Sequence, residues 1–247
     1  MDFQHLLLFL ALALLAEVIG TVGGFGSSLL FVPVASYFFD FHAVLGITAF
    51  FHVASNLSKI ALFRKGVDKK LVLQLGVPAV VCVIAGAWLS QKMDVRWLEL
   101  ALAVFLISLS ILLLLTQHLA LAPTRTNSFL GGSLSGLLAG LVGTGGAVRG
   151  ATLAAFQLEK DVFIATSAII DLGVDVSRSA VYAWQGYVQT EHLYVVGALV
   201  GVSVAGTWMG KKIVHRFSER QFRTAVLLLV LATGLYTLWQ VLVSGYP

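Results

Sequence analysis

Val22-Gly23-Gly24-Phe25-Gly26 and Gly143-Thr144-Gly145-Gly146 each interrupt a long apolar stretch, one early in the chain and one just past its middle. Glycine turns the backbone where other residues are strained, and it lets a second backbone approach closely. Each cluster therefore reads as a break inside what would otherwise be a membrane helix. The apolar run on either side of a break is about 13 residues, which as a helix covers about 20 Å of a roughly 30 Å hydrocarbon core.

The surroundings are those of a membrane protein. Of 247 residues, 58% are hydrophobic and only 11% charged, against about 25% charged in a soluble domain. So few charges cannot cover a water-facing surface. Sixteen Lys and Arg against twelve Asp and Glu give a formal +4. In a membrane protein this excess belongs to loops facing the cytoplasm and its anionic lipids, not to nucleic acid. A single cysteine, Cys82, excludes an internal disulfide, and no metal-ligand pattern or cofactor motif is present. No Lys or Arg precedes the first apolar stretch, so that stretch is expected to remain in the chain and not to be cleaved as a signal peptide.

Outward from the breaks, the chain repeats itself. Gly20, Gly23 and Gly26 recur as Gly140, Gly143 and Gly146, an offset of 120 residues. The same offset carries Gly66 onto Gly186, Gly86-x-Trp88 onto Gly206-x-Trp208, Lys92 onto Lys212 and Arg96 onto Arg216. The expected units are residues 1–116 and 129–247, joined by a linker over 117–128. Each holds one interrupted segment, about 5–39 or 129–158, followed by three helices. Those helices fall near 43–63, 71–89 and 97–116, then near 162–184, 192–209 and 221–243. Internal repeats of this kind are typical of secondary transporters. The two tryptophans, near helix ends, read as interface anchors.

Charge decides whether the interrupted segments cross or return. If each crosses once, the two sides carry five and eight basic residues. If each returns, Arg64, Lys65, Lys69, Lys70, Arg125, Lys160, Lys211, Lys212, Arg216, Arg220 and Arg223 share one side, leaving Lys92 and Arg96 opposite. The second partition obeys the positive-inside rule. The expected fold is thus an all-α polytopic membrane protein of two inverted-topology repeats, each a glycine-broken, re-entrant helical hairpin plus three spanning helices. Loops 64–70 and 210–223 would be cytoplasmic, and both termini would face outward.

Two groups of residues could carry chemistry. At the breaks, Gly23, Gly24, Gly26, Gly143, Thr144, Gly145 and Gly146 precede helix restarts, whose first amides carry partial positive charge and attract anions; the bland alternative is tight helix packing. Arg149 follows the second break, and its fork of donors suits sulfite, sulfonate, carboxylate or phosphate oxygens; it could equally pair with an aspartate. The second group is two polar stripes at i, i+4, i+7: His52, Asn56 and Lys59 in one repeat, Asp171, Asp175 and Arg178 in the other. The stripes are expected to face each other along one pathway. Asp175 can pair with Arg178 along its helix. Asp171 has no cation at i+3 or i+4 and could carry a proton. Lys59, near a helix end, could snorkel to the interface. Ser27, Ser28 and Thr144 add hydroxyls, which often bond their own backbone.

The glycine clusters opening each half, with Pro33 after the first and Gly66 and Gly186 after the second helices, resemble the sulfite exporter TauE/SafE family, also called the toluene-sulfonate uptake permeases. The likeness covers about residues 5–243. It implies a permease of a bacterial-type inner membrane acting on sulfite, sulfonates or other small sulfur-containing anions, commonly described with seven or eight spans. Leu153 stands where a second Pro33 would fall, and Asp171 and Asp175 make the central helix more acidic than in many relatives. The expected function is alternating-access transport of a small anion coupled to a proton or sodium ion. Transport of a non-sulfur carboxylate, a passive anion channel and a membrane scaffold are the competing readings. An intramembrane enzyme is disfavoured, because no His-Glu-x-x-His or Gly-x-Ser-x-Gly is present and the six histidines are dispersed.

Overall fold

The computed structural model of the chain describes residues 3–24, 26–63, 66–90, 96–115, 121–143 and 145–243. Among these the fold is all helical. The first unit forms α1 (Phe3–Gly23), α2 (Ser28–Ala35), α3 (Phe41–Leu62), α4 (Lys69–Leu89) and α5 (Arg96–Leu115). The second forms α6 (Arg125–Val142), α7 (Gly146–Ala155), α8 (Lys160–Trp184), α9 (Leu193–Val214) and α10 (Glu219–Val243). Five helices, α1, α3, α4, α9 and α10, are long and apolar enough to cross a bilayer. Their outer faces expose large apolar side chains such as Leu15, Leu73 and Leu242, as lipid contact requires.

Local chemistry sets the helix ends. Asp40 accepts from the His42 and Ala43 amides at 3.1 Å to open α3. Asp68 does the same for Leu71 at 3.0 Å in α4, and Thr124 for Asn127 at 3.2 Å in α6. Such caps satisfy amides that the helix itself cannot. Helix α6 thus begins inside the stretch read as the linker. Gly186 (φ +77°) directly follows the C-cap of α8 in the left-handed conformation that closes helices, and Gly66, four residues beyond α3, also has a positive φ (+96°). Helix α4 contains a π turn over Val72–Gly76 just ahead of Pro78. The proline ring has no N–H and crowds the carbonyl four residues back, so the hydrogen-bond register must shift there.

The interrupted segments are less even than the apolar pattern suggested. Helix α1 runs 21 residues before the break and α2 only 8 after it; α6 and α7 have 18 and 10. The chain stays helical through Gly20 and Gly23 and turns only where φ becomes positive, at Gly24 (+72°) and Gly26 (+100°) in the first unit and at Gly143 (+76°) in the second. After each break the chain doubles back. A Cβ on Gly20 would lie 2.5 Å from Ser27 Cα, and the Phe9 ring sits 5.7 Å from Phe31 and 5.5 Å from Phe39. In the second unit Gly131 faces Thr152, and the Leu121 amide donates to the Ala155 carbonyl at 2.8 Å.

Glycines also place the long helices. Gly132, Gly136 and Gly140 of α6 lie against Leu75, Ala79 and Val83 of α4, so these helices run parallel at backbone contact. Gly206 and Gly210 of α9 meet Glu17 and Thr21 of α1 in the same sense. Helices α3 and α8 cross antiparallel, with Asn56 bonded to Asp175 and the Asp68 amide to Thr166. Helices α5 and α10 also pack antiparallel, with Gly234 against Ala103 and Ile107, and Leu113 near Phe222. Gly136→Leu should therefore drive a side chain into the Ala79 carbonyl and cost about 1–3 kcal/mol, read as a lower melting midpoint in detergent. Gly197→Ala, where a Cβ meets nothing within 4 Å, should leave that midpoint unchanged.

Candidate functional site

The crossing of α3 and α8 encloses three cations and three carboxylates: Lys59, Arg149 and Arg178 with Glu17, Asp171 and Asp175. None is more than 7% exposed. A lone charge at such depth is very costly, so each must find a counter-charge or a set of hydrogen bonds. Here every one does.

Arg178 donates from Nε and Nη2 to Asp175 Oδ1, both at 2.7 Å, the pairing its i, i+3 spacing allows. Its Nη1 reaches the carbonyls of Ala139 (3.3 Å) and Gly143 (3.2 Å). It thereby holds the negative end of α6, where a cation is favoured. Tyr182 bonds the neighbouring Gly140 carbonyl at 2.7 Å. Asn56 donates to the free oxygen of Asp175 at 2.7 Å. The two stripes thus meet as their spacing suggested, with His52 Nδ1 3.3 Å from Arg178 Nη2.

Arg149 lies in the first turn of α7 and forms an ion pair with Asp171 through Nη2. Its Nε also donates to Ser167 at 3.2 Å, and the Ser167 hydroxyl donates to Asp171 at 3.3 Å. Asp171 therefore has its cation after all, supplied by a different helix and not by its own. Lys59 does not snorkel. It is buried, 3.2 Å from Glu17 Oε1 and 2.7 Å from Ser55 Oγ.

The break residues are distributed differently from the charges. Gly24 faces Phe163 and Ile164 at the start of α8, whereas Gly143 faces Leu45 near the start of α3. Since α3 and α8 are antiparallel, Gly24 and Gly143 sit towards opposite ends of the crossing with the charge network between them, while Val32 of α2 reaches across to Gly143. Gly23 is the last residue of α1 and is buried, and Gly26 lies beside His52. Gly145 precedes α7 against Ser135 and Ala139 of α6, and buried Gly146 begins that helix. Neither Ser27 nor Gly145 caps its helix with a side chain. Thr144 lies outside the described residues. Ser28 is buried at the start of α2.

The residue that sequence reasoning missed is Glu17. It is fully buried and accepts from Thr21 (3.2 Å), Ser27 (2.7 Å), Ser55 (2.5 Å) and Thr207 (3.0 Å) besides Lys59. The signal was available: a lone carboxylate inside a 20-residue apolar run is expensive enough to imply a task.

A group of ion pairs closed off from water between broken membrane helices suits an ion pathway better than a catalytic centre. The described residues contain no cluster of three or more His, Cys, Asp and Glu able to hold a metal. The sequence model of the sulfite exporter TauE/SafE family matches residues 9–237, nearly the whole chain. The chain belongs to that family. No curated protein matches significantly. TauE/SafE proteins are membrane transporters and not enzymes, and membership makes this chain a membrane exporter of the sulfite or sulfur-anion class. Its ion pairs are part of the folded core, so removing one partner should be severe. Lys59→Met should destabilise the protein by about 3–5 kcal/mol by stranding Glu17. Glu17→Gln/Lys59→Met should recover most of the lost melting midpoint.

Proposed function

We propose that this TauE/SafE protein carries sulfite, a sulfonate or a related small sulfur-containing organic anion across a bacterial-type inner membrane by alternating access, with Arg149 as the anion-binding side chain and a proton or sodium ion as the coupling partner. The observation that carries the reading is the Arg149–Asp171 pair. A guanidinium fork buried one turn beyond a helix break is already occupied by an oxyanion of the protein itself. A substrate oxyanion can make the same contacts once Asp171 lets go. Neutralising Asp171 with a proton or sodium ion is the step that permits this. Before loading, Asp175 is engaged by Arg178 and Asn56, with His52 beside it. The uncapped amides of α7 follow Gly143, Gly145 and Gly146 on the Arg149 side, and those of α2 follow Gly23, Gly24 and Gly26 on the His52 side; each adds positive potential at its own end of the network.

Helix pairing supports inverted repeats with re-entrant hairpins. Corresponding helices α3 and α8 run antiparallel, as do α5 and α10. The parallel pair α1 with α9 becomes α6 with α4 when the units are exchanged. The buried network would be the occluded state, opened by rocking one unit against the other. The basic ends of α9 and α10 and the loop 64–70 would face the cytoplasm. Because the group now in the Arg149 fork is itself a carboxylate, small carboxylates are the competing substrate class, and a passive anion channel is the competing mechanism.

In proteoliposomes offered sulfite, sulfonates and carboxylates, Arg149→Ala should lower anion flux by about ten- to a hundredfold, the worth of a charge-assisted contact. Asp171→Asn should keep flux but lose part of its response to a pH gradient, whereas unchanged behaviour in both variants would remove the site. For topology, single cysteines introduced in a Cys82→Ser background should react from opposite sides. Arg216→Cys should label only from the cytoplasm and Gln189→Cys only from outside.

A further inference from the structure

Glu17 has no part in the anion site above, yet it is fully enclosed and bound by five donors. These come from every element packed around it: Thr21 of α1, Ser27 at the break, Ser55 and Lys59 of α3 and Thr207 of α9. One of these donors leads out of the shell. Ser27 Oγ donates to Glu17 Oε2 at 2.7 Å and lies 3.1 Å from His52 Nε2. On the other side of the ring, His52 Nδ1 faces Arg178 Nη2 at 3.3 Å. A guanidinium only donates, so Nδ1 accepts and the ring proton sits on Nε2, pointing at Ser27. From Arg178 through His52 and Ser27, each donor is aimed towards Glu17.

We propose that Glu17 is a proton-binding site of the transport cycle, loaded through His52 and Ser27. The inference rests on the reading of the chain as an anion transporter, and it names the proton as a coupling ion with a site separate from Asp171. The transfer is a balanced relay without redox change. Asp175 Oδ2 lies 3.9 Å from His52 Nδ1, and once protonated it can close that gap and hand its proton to Nδ1 in place of the Arg178 hydrogen bond. Nε2 then releases its own proton to Ser27 Oγ as the Ser27 hydroxyl proton moves to Glu17 Oε2. Asp175, a carboxylate again, keeps its contact with Arg178 Nε and accepts from the new His52 Nδ1–H; the first tautomer is restored when Glu17 gives its proton back along the same path. The core has gained one positive charge, held on Lys59 and still hydrogen-bonded to Ser55.

The charge count gives this step a purpose. Three cations and three carboxylates balance in the structure as it stands. With Glu17 and Asp171 both neutralised, two positive charges remain without partners, which matches a sulfite dianion. Protons alone would strand buried cations and the anion alone would strand buried carboxylates, so the two load together.

The test is sulfite uptake into proteoliposomes under an inward proton gradient, set beside sulfite counterflow at equal pH, for wild type, Glu17→Gln and Ser27→Ala. The double variant Glu17→Gln/Lys59→Met, which leaves no stranded lysine, serves if the single variant does not fold. Because sulfite itself titrates, variants are compared at identical pH. Each variant's gradient-driven uptake is read relative to its own counterflow, so that a weakened anion site is not mistaken for a lost proton site. Gradient-driven uptake should fall at least fivefold without Glu17, and the dependence of initial rate on proton concentration should drop from second towards first order. Ser27→Ala should slow gradient-driven uptake while leaving its final level intact. A wild-type gradient response in the double variant would overturn the proton site and leave the anion reading standing. Wild-type uptake driven by sodium but not by protons would also overturn it. No sulfite flux in wild type under either regime would remove the anion reading, and this inference with it.

Discussion

The controlling constraint in this molecule is that six ionised side chains share a space without bulk water. In such a medium charge cannot be left over, and the fold is arranged so that none is. Arg178 is held by Asp175, Arg149 by Asp171 and Lys59 by Glu17, and the hydroxyls of Ser27, Ser55, Ser167 and Thr207 take up lone pairs that the ion pairs leave. A buried pair of this kind is weak evidence for stability, because desolvation offsets most of the attraction. It is better evidence for a role in which the partners separate.

Glycine supplies the mechanical counterpart. The parallel contact of α4 with α6 rests on Gly132, Gly136 and Gly140, one turn apart, with Gly86 opposite them, and that of α1 with α9 on Gly206 and Gly210. Close backbone approach of this kind stands in for the hydrophobic effect, which offers little within lipid. Each hairpin arm is thereby bound to a long helix of the other unit. The polar crossing of α3 and α8 lies between these two tight pairs.

Much of this was legible in the chain. Apolar run length located the helices to within a few residues, and the helical spacing of His52, Asn56 and Lys59 against Asp171, Asp175 and Arg178 showed which faces of α3 and α8 would meet. Cross-chain partners were not legible. Arg149 finds Asp171 and Lys59 finds Glu17 only after helices distant in sequence have packed, so local spacing left Asp171 without a cation and let Lys59 pass for an interface residue. The arm lengths failed for a different reason. Hydropathy marks that a glycine cluster interrupts an apolar run but not which glycine adopts a positive φ, and that choice makes the arm before each break the longer one. As a result Gly24 and Gly143 lie on either side of the charges.

The equal count of buried cations and carboxylates has a consequence for energetics. A unit charge moved through the full membrane potential gains or loses about 2.3 kcal/mol per 100 mV. In the proposed alternating-access cycle, an unoccupied protein with a neutral interior would move almost no charge when it resets. The voltage across the membrane then has no purchase on the return stroke and cannot trap the empty protein facing one side. Electrical work falls on whatever is carried and on the ions that accompany it.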